Sequence, residues 1–598
     1  MKHKILATII IAIATMVAIA SVWDDAPIVD EVPHIGAGWS YVAKQTFLFN
    51  PEHPPLVKDL AGLPLLTLNI DEAVFERQYQ GGWPTDVNGQ WNFGRALIYQ
   101  SGVEAQKLVH FAKLPMFLFF ILSGVLIFVW TSRLYGGLGG LLALFLFSFS
   151  PTIIAHSRFV TTDAAALTGI LAATFFFIRY LKEPGNQWYH SRSFWLAAII
   201  FGLAQLTKFS VILLIPYFLF LGVLWGWANG KIFKNILNTI LVMAIGMIVT
   251  IGPLYQLHLL NYPGSKQKAD TEIILSGPGN QLIKNSLTWA SDKPILRPYA
   301  EYGLGLAMVF HRNAGGNRTY FLGEVYNEAQ KSYFPVVYLL KEPLPILVLM
   351  AIAILFVLIR RRPKNWRARK WLGEHFAEVA MLIWITFYWW TSINANLNIG
   401  IRHLLPVFGF TYILVAGQVA TLAKNLKLKA QNHSSKSKVF NFKFSFYAFR
   451  FTLFVLIVWY LIEFVSAYPY YLTYFNQLAG GPSGGHRYVV DSNLDWGQDL
   501  KRLGDWVKER GIQKISVDYF GWADQKHYIG DAFYWVRNAE YTSAEQFLRG
   551  NPQGGYIAVS VTFYQESIHS NGNYNWLKAY KPVANIGNSI FVWHISAR

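Results

Sequence analysis

The chain has 598 residues, of which 53% are hydrophobic and only 14% charged, whereas a soluble protein needs roughly a quarter of its residues charged. The net charge of +18 would fit a nucleic-acid binder, but much of the basic excess lies in two short loops between apolar runs, so we expect no nucleic-acid partner. The absence of cysteine excludes disulfides, thiolate metal sites and cysteine nucleophiles.

Apolar runs recur along the chain, most of them of about 16 to 25 residues and long enough to cross a ~30 Å hydrocarbon core, whereas 138–154 and 194–207 are short. The first run, 5–22, follows Lys2 and Lys4 and ends like a signal peptide, but its length favours a retained helix. The other runs lie near 113–132, 138–154, 162–181, 194–207, 209–228, 235–256, 334–359, 376–392, 403–422 and 451–467. The sequence therefore predicts a polytopic α-helical membrane protein with about eleven spans.

The loop charges predict which side of the membrane each loop occupies. With the N-terminus inside, the acid-free basic clusters within 360–370 and 424–443 fall on the cytoplasmic side, as the positive-inside rule expects. This threading leaves the blocks 23–106 and 257–333 and the tail 468–598 outside. We therefore predict an integral protein of the cell inner or plasma membrane, with its active site and its tail extracytoplasmic.

The external blocks differ in character. The first contains short amphipathic pieces (36–48, 54–67 and 95–108), whose apolar faces we expect to lie in lipid at the interface. The tail has a predicted helix over 498–510, followed by the strand-like segments ISVDYF, YIAVSVTFY and SIFVWHI. We predict a membrane domain over 1–467 and a small α/β domain over 468–598.

Ionisable side chains from five separate segments fall at the predicted outer ends of the spans. Each has an ordinary structural explanation on its own, such as a helix N-cap for an aspartate or snorkelling to lipid phosphate for an arginine. Charges near a bilayer are costly, so their gathering on one side indicates a functional site. The segments contain Asp30 and Glu31; Glu52, His53 and Lys58; His156, Arg158 and Asp163; His311 and Arg312; Arg402 and His403.

This mixture of residues suits transfer to a hydroxyl group with departure of a phosphate. An acid can accept the proton of a hydroxyl nucleophile, while arginine, lysine, histidine or a metal ion neutralises the leaving phosphate. The sequence contains no P-loop, dinucleotide-type GxGxxG, HExxH or GxSxG motif, so nucleotide-binding and hydrolase functions lack support.

The sequence resembles the dolichyl-phosphate-mannose–protein mannosyltransferase-like family of GT-C glycosyltransferases, including its bacterial polyprenyl-phosphate-sugar-dependent members. The resemblance rests on the order and spacing of motifs that are weak individually. They are DE at 30–31, NPEHPPL at 50–56, TTDA at 161–164, YFPVVYLLKEPLPIL at 333–347 and GIRHLLP at 400–406. The tail segment 474–500 also looks like the extracytoplasmic extension of some bacterial members.

The resemblance implies a GT-C fold and a role for each candidate residue. Asp30 would be the catalytic base, with Glu31 supporting it and Asp163 as the family's second acid. His53 stands where related enzymes have a lysine, which puts a direct ammonium–phosphate contact there in doubt. The predicted donor-phosphate ligands are His53, Lys58, Arg158, His311 and Arg402. Glu52 and His311 would be the ligands of a divalent metal cation, although no spacing demands one.

The implied function is transfer of a hexose-type, mannose-like sugar from a polyprenyl-phosphate donor, with inversion, to a hydroxyl of a protein, lipid or glycan. Two alternatives stay open at this point. A lipid or solute transporter or flippase predicts intramembrane charges in both halves and internal symmetry, neither of which is visible. A non-catalytic scaffold would use its aromatic-rich tail to bind a partner.

Overall fold

The computed structural model describes residues 1–78, 86–183, 191–359, 367–432, 436–537, 540–570 and 572–597, with backbone alone at 432 and 436–441. The helices up to residue 258 are α1 Lys2–Ser21, α2 Glu31–Lys44, α3 Leu56–Gly62, α4 Ala73–Gln78, α5 Gln90–Gln100, α6 Ala105–Lys113, α7 Met116–Tyr135, α8 Gly137–Ser148, α9 Pro151–Ser157, α10 Asp163–Lys182, α11 Arg192–Gln205, α12 Leu214–Asn229 and α13 Ile232–His258. The later helices are α14 Gly264–Ile274, α15 Gln281–Ala290, α16 Arg297–Gly315, α17 Tyr333–Lys341, α18 Leu344–Ile359, α19 Ala368–Glu374, α20 Phe376–Ile393, α21 Leu405–Asn432, α22 Lys436–Ser466, α23 Leu500–Glu509, α24 Gln525–Ile529, α25 Ala544–Gly550 and α26 Val561–Ile568. The strands are β1 Thr319–Phe321, β2 Glu324–Tyr326, β3 Ile515–Asp518, β4 Phe533–Trp535, β5 Gly555–Ser560, β6 Ala584–Ile586 and β7 Ile590–Ile595.

All eleven apolar runs fold as helices. Within the described ranges, eight helices are long and apolar enough to cross a membrane, or up to ten if two bent pairs each make one span. The bent pairs are α8 with α9, at 62°, and α17 with α18, at 112°. The remaining apolar run is the shorter helix α11. The prediction of a polytopic helical protein is confirmed.

The two most extensively buried spans are α10 and α21, which pack against each other in the middle of the bundle. A helix that is apolar all round belongs in such a position, because no face of it needs lipid or water. The N-terminal ends of these two spans carry Asp163 and the turn that contains Arg402. The charged residues therefore meet at one end of the bundle core.

The first external block is packed more tightly than the sequence suggested. Helix α2 is buried between α3 and α5, so the expectation that residues 36–48 present an apolar face to lipid is wrong. Glycines allow this close approach: a Cβ at Gly38 would lie 2.1 Å from the carbonyl oxygen of Lys58, and one at Gly94 would lie 2.1 Å from that of Val32. This packing fixes the start of α2, where Asp30 lies.

The tail contains a five-stranded mixed sheet in the order β4-β3-β5-β7-β6. Strand β3 runs parallel to β4 and β5, whereas β7 runs antiparallel to β5 and β6. The segment YIAVSVTFY is strand only to Ser560, and helix α26 begins at Val561. Its β-branched and aromatic residues predicted a longer strand, but tertiary packing overrides such local preferences.

The structure does not test two features predicted from the sequence, the domain boundary and the complete basic cluster at 360–370. The domain boundary at residue 468 stays a prediction. Part of the basic cluster at 360–370 lies outside the described residues, which resume at 367.

Candidate functional site

The centre of the candidate site is an arginine held between two carboxylates. Arg402 Nη1 lies 2.7 Å from Asp30 Oδ2 and 3.5 Å from Asp163 Oδ2. The Asp163 side chain is only 1% exposed, whereas that of Asp30 is 22% exposed. Three of the predicted residues, from distant parts of the chain, therefore meet, and Asp30 is the more accessible of the two acids.

Local structure explains why the two acids stand where they do. Asp30 occupies the N-cap of α2, and Asp163 is the first residue of α10. Unpaired backbone N–H groups give a helix N-terminus a partial positive charge, which favours carboxylates there. Arg402 lies in a 3-10 turn just before α21, after Gly400, whose φ of 128° suits only glycine.

A second cation completes the cluster. Lys208 Nζ forms an ion pair with Asp163 Oδ1 at the junction that leads into α12. Asp163 thus has a cation on each oxygen. Lys208 could not be recognised from the sequence, because a single lysine between two apolar runs looks like any loop residue.

The imidazoles of His34 and His53 lie beside this cluster. The rings of His34 and His53 meet edge to face with centroids 5.0 Å apart, and His34 Nδ1 lies 2.8 Å from the Val160 carbonyl oxygen. Burial lowers the pKa of His34 to about 4, with help from Lys58 and against the opposing effect of Asp30. Burial also holds the pKa of His53 well below its usual range. Both rings are therefore neutral at physiological pH, and His34 was not anticipated from the sequence.

A groove of about 620 Å³ opens next to Glu52. Its polar end carries Glu52, His311 and Arg312, and Glu52 Oε2 lies 3.4 Å from Arg312 Nη1. The remaining wall is mostly apolar and comes from α14, α15 and α16. It includes Ile274, Leu275, Ile283, Leu306 and Phe310.

The residues at this groove do not fit the predicted divalent metal. Glu52 is engaged by Arg312, which already supplies a positive charge. In the part of the chain that the structure describes, no group of three or more histidines or acids is placed to hold a metal ion. Glu52 and His311 therefore lack the further ligands that such a cation requires.

Lys58 lies in the predicted region, but its ammonium group is used within the protein. Lys58 Nζ donates to the carbonyl oxygens of Asn50 and His53, at 2.7 and 2.8 Å, and to Tyr41 Oη at 2.9 Å. An ammonium has three protons, and these acceptors take all of them. In this arrangement Lys58 shapes the loop that carries Glu52 and His53.

Glu31 and Arg158 are also buried in internal contacts. Glu31 accepts the backbone N–H groups of Ile28 and Val160, at 3.0 and 2.9 Å, and pairs with Lys113 at 3.2 Å. Arg158 donates to the Ser21 carbonyl oxygen at 2.6 Å and lies 3.3 Å from a carboxylate oxygen of Asp25. These contacts hold segments together, and neither side chain joins the ion pairs of Asp30, Arg402 and Asp163.

The tail contributes to the site as well. The Arg402 guanidinium carbon lies 4.2 Å from the centroid of the Trp496 ring. Asp491 lies close enough for Arg402 to act on its carboxyl, although burial has the larger effect and raises the pKa of Asp491 to about 6. The motif DSNLDWGQDL was visible in the sequence, but nothing in it indicated contact with Arg402.

Comparisons with known proteins agree with this architecture. A profile of the family described as dolichyl-phosphate-mannose-protein mannosyltransferase matches residues 108–255. A search of curated proteins returned no significant match. The S. cerevisiae protein O-mannosyltransferase Pmt1-Pmt2 complex bound to the sugar donor is 11% identical, with a TM-score of 0.53 over 78% of this chain and 90% of that chain.

Two further solved structures are similar over almost the whole chain. ArnT from Cupriavidus metallidurans in the apo state is 11% identical, with a TM-score of 0.48 over 99% of this chain and 98% of that one. The apo oligosaccharyltransferase of Archaeoglobus fulgidus is 12% identical, with a TM-score of 0.48 over 97% of this chain and 72% of that one.

The likeness to the S. cerevisiae complex confirms the predicted GT-C fold, and the family match is confined to residues 108–255. The matched stretch runs from α6 to α13 and includes Asp163 and Lys208. Asp30, Arg402 and the tail lie outside it, and the roles of all the site residues stay predictions.

Proposed function

We propose that the chain is a GT-C glycosyltransferase that transfers a hexose-type, mannose-like sugar from a polyprenyl-phosphate donor to a hydroxyl acceptor on the extracytoplasmic side. The observation that carries the proposal is the position of Arg402 between Asp30 and Asp163. A carboxylate next to a guanidinium offers both a proton acceptor and a ligand for a leaving phosphate. The acceptor is a protein, a lipid or a glycan.

The difference in exposure assigns the two acids different roles. Asp30, 22% exposed, is the base that takes the proton of the attacking hydroxyl. Asp163, 1% exposed and flanked by Lys208 and Arg402, orients those two cations. Its burial leaves no room for an acceptor to approach it directly.

The reaction is a single in-line displacement at the anomeric carbon. The acceptor oxygen forms a bond to that carbon, its proton passes to Asp30, and the bond to the phosphate oxygen breaks. Arg402 stabilises the charge that develops on the departing polyprenyl phosphate, which guanidinium does well through paired hydrogen bonds. One displacement inverts the anomeric configuration.

The apolar groove is the proposed place of the lipid chain. Its wall of Ile274, Leu306 and Phe310 suits an isoprenoid, and Arg312 at its polar end suits the phosphate. The S. cerevisiae complex of the same fold is bound to its sugar donor, which supports a donor site in this architecture.

The proposed sidedness follows from the length of α21. Arg402 lies just before this helix, and Lys424, Lys427 and Lys429 lie near its other end. At 1.5 Å per residue Arg402 and Lys424 are ~33 Å apart along the helix axis, enough to cross the ~30 Å hydrocarbon core. Basic residues favour the cytoplasmic side, which puts the Asp30–Arg402 pair on the extracytoplasmic side.

The test is a panel of polyprenyl-phosphate sugars, including mannose and glucose donors, incubated with the purified protein in liposomes. We expect release of polyprenyl phosphate from at least one donor, measured by mass spectrometry, when a hydroxyl acceptor is present. A folded protein that consumes no donor in the panel, but moves an intact lipid between leaflets, would favour the flippase alternative.

A further inference from the structure

A polar stretch of the tail is buried against the membrane domain. In residues 491–499, here called the buried tail segment, Ser492, Asn493, Asp495, Gln498 and Asp499 are each at most 2% exposed. Buried polar groups are costly unless they are hydrogen-bonded. The partners of this segment show what the burial achieves.

One set of partners lies immediately before Asp30. The carbonyl oxygen of Trp496 accepts the backbone N–H of Val29 at 3.0 Å, and that of Gln498 accepts the N–H of Ala26 at 2.9 Å. These bonds hold the chain that leads into α2. The buried tail segment thus fixes the backbone beside the proposed base.

A second set of partners lies immediately before Arg402. Asn493 Oδ1 accepts the backbone N–H of Ile401 at 3.0 Å, and the hydroxyl of Ser492 donates to the carbonyl oxygen of Ile399. A Cβ at Gly400 would lie 2.4 Å from Ser492 Oγ, so the contact needs glycine there. The same tail segment therefore fixes the backbone on the arginine side as well.

Trp496 also contacts Arg402 directly, next to the proposed base Asp30. Its ring, 1% exposed, covers one face of the Arg402 guanidinium at 4.2 Å, while Nη1 of the arginine points to Asp30. A cation over a tryptophan face is attracted by the ring quadrupole, most strongly where water is excluded. The indole thus favours the orientation in which Arg402 meets Asp30.

We propose that the tail is part of the transfer site, with Trp496 as a positioning residue that orients Arg402 for the leaving phosphate. The inference rests on the proposed function and extends it to a segment of the chain that the family match does not reach. It makes the tail necessary for transfer and not merely an appended domain.

The experiment compares three single variants of the full-length protein. Trp496→Leu removes the ring, Trp496→Phe keeps a smaller ring, and Trp593→Leu is the control. Trp593 is also 1% exposed, but it lies in β7 and donates to the Tyr580 carbonyl oxygen at 3.2 Å. The control therefore measures the cost of deleting a buried indole from the tail away from Arg402.

Two quantities are measured for each variant: kcat/KM with an accepted donor, and the inhibition constant of the product polyprenyl phosphate. For Trp496→Leu we expect kcat/KM to fall about 30-fold, the equivalent of ~2 kcal/mol, and the inhibition constant to rise. For Trp496→Phe we expect both quantities to lie between those of Trp496→Leu and those of the wild type. Trp593→Leu should leave the inhibition constant unchanged, because a smaller folded fraction does not alter the affinity of the remainder.

The outcomes separate the two proposals. A wild-type protein that transfers no sugar would overturn the proposed function and this inference with it. An active wild type with an unchanged inhibition constant in Trp496→Leu would overturn the positioning role alone. Equal effects of Trp496→Leu and Trp593→Leu on kcat/KM and on the inhibition constant would also overturn the positioning role.

Discussion

Replacing Asp30 by asparagine separates the chemical role of this residue from its structural one. The amide has nearly the shape of the carboxylate and still offers Arg402 a hydrogen-bond acceptor at the 2.7 Å contact. Arg402 also keeps Asp163 at 3.5 Å and the Trp496 face at 4.2 Å. The arginine is therefore not left as a buried charge without partners.

These contacts set the expected magnitudes. Since Asp30 is partly exposed and Arg402 keeps its other partners, we expect Asp30→Asn to change the free energy of unfolding by only ~1 kcal/mol. Unlike a carboxylate, the asparagine amide cannot take the proton of the attacking hydroxyl group. Loss of a general base typically slows a reaction by about 10² to 10⁴-fold, and we expect a fall in kcat of that size.

The assay measures polyprenyl phosphate release and the melting temperature of the same purified samples. Asp24→Asn is the matched control, because Asp24 is 57% exposed and pairs with Lys501 at 2.7 Å outside the cluster. We expect the control to keep wild-type activity. An Asp30→Asn protein with normal melting and a rate within about threefold of wild type would refute the assignment of Asp30 as the base.

Three further predictions concern stability, pH and the groove. Lys113→Met leaves the buried carboxylate of Glu31 without its cation, so thermal or denaturant unfolding should show a loss of about 3–5 kcal/mol, and an unchanged stability would contradict the pairing. Burial raises the pKa of Asp495 to about 8, so its carboxyl stabilises the fold most at low pH, and this contribution is lost as pH rises from the unfolded pKa towards 8. The melting temperature should therefore fall more between pH 5 and 8 in wild type than in Asp495→Asn, and parallel curves would refute this. Ala307→Trp narrows the apolar groove and should raise KM for a long-chain donor several-fold more than for a short-chain analogue, whereas equal effects would exclude the groove as the lipid site.

The membrane architecture could be predicted because it depends on a local property of the chain. The length of an apolar run decides whether it can span a bilayer, and each of the eleven runs folds as a helix. The same reasoning overestimated how much of the first external block faces lipid. Residues 36–41 are buried, because glycines such as Gly38 and Gly94 let neighbouring helices approach closely. The sequence shows no periodic pattern from which this packing could be predicted.

The centre of the site could be anticipated by asking which charges share one side of the membrane. That reasoning brought Asp30, Asp163 and Arg402 together, and the structure places them in one ion-paired cluster. It could not tell which other charges would be used inside the protein. Lys58 and Arg158 look in the sequence like free cations, but their hydrogen bonds depend on carbonyl groups that only the folded chain brings near.

The residues that were missed depend on contacts between distant segments. Lys208 joins the site through its ion pair with Asp163 in α10, and Trp496 through its contact with Arg402 in the membrane domain. No spacing within a single segment encodes either contact. The buried polar motif of the tail, with acids at 491, 495 and 499, was the one visible signal that this segment needs partners.

The account depends most on a single displacement at the anomeric carbon, assisted by Asp30 and Arg402. The most direct measurement is the anomeric configuration of the glycoside formed from a donor of known configuration, determined by NMR, with the released polyprenyl phosphate quantified in the same reaction. The account predicts an inverted product and one polyprenyl phosphate released for each sugar transferred. A product of retained configuration would contradict it, since that outcome needs two displacements.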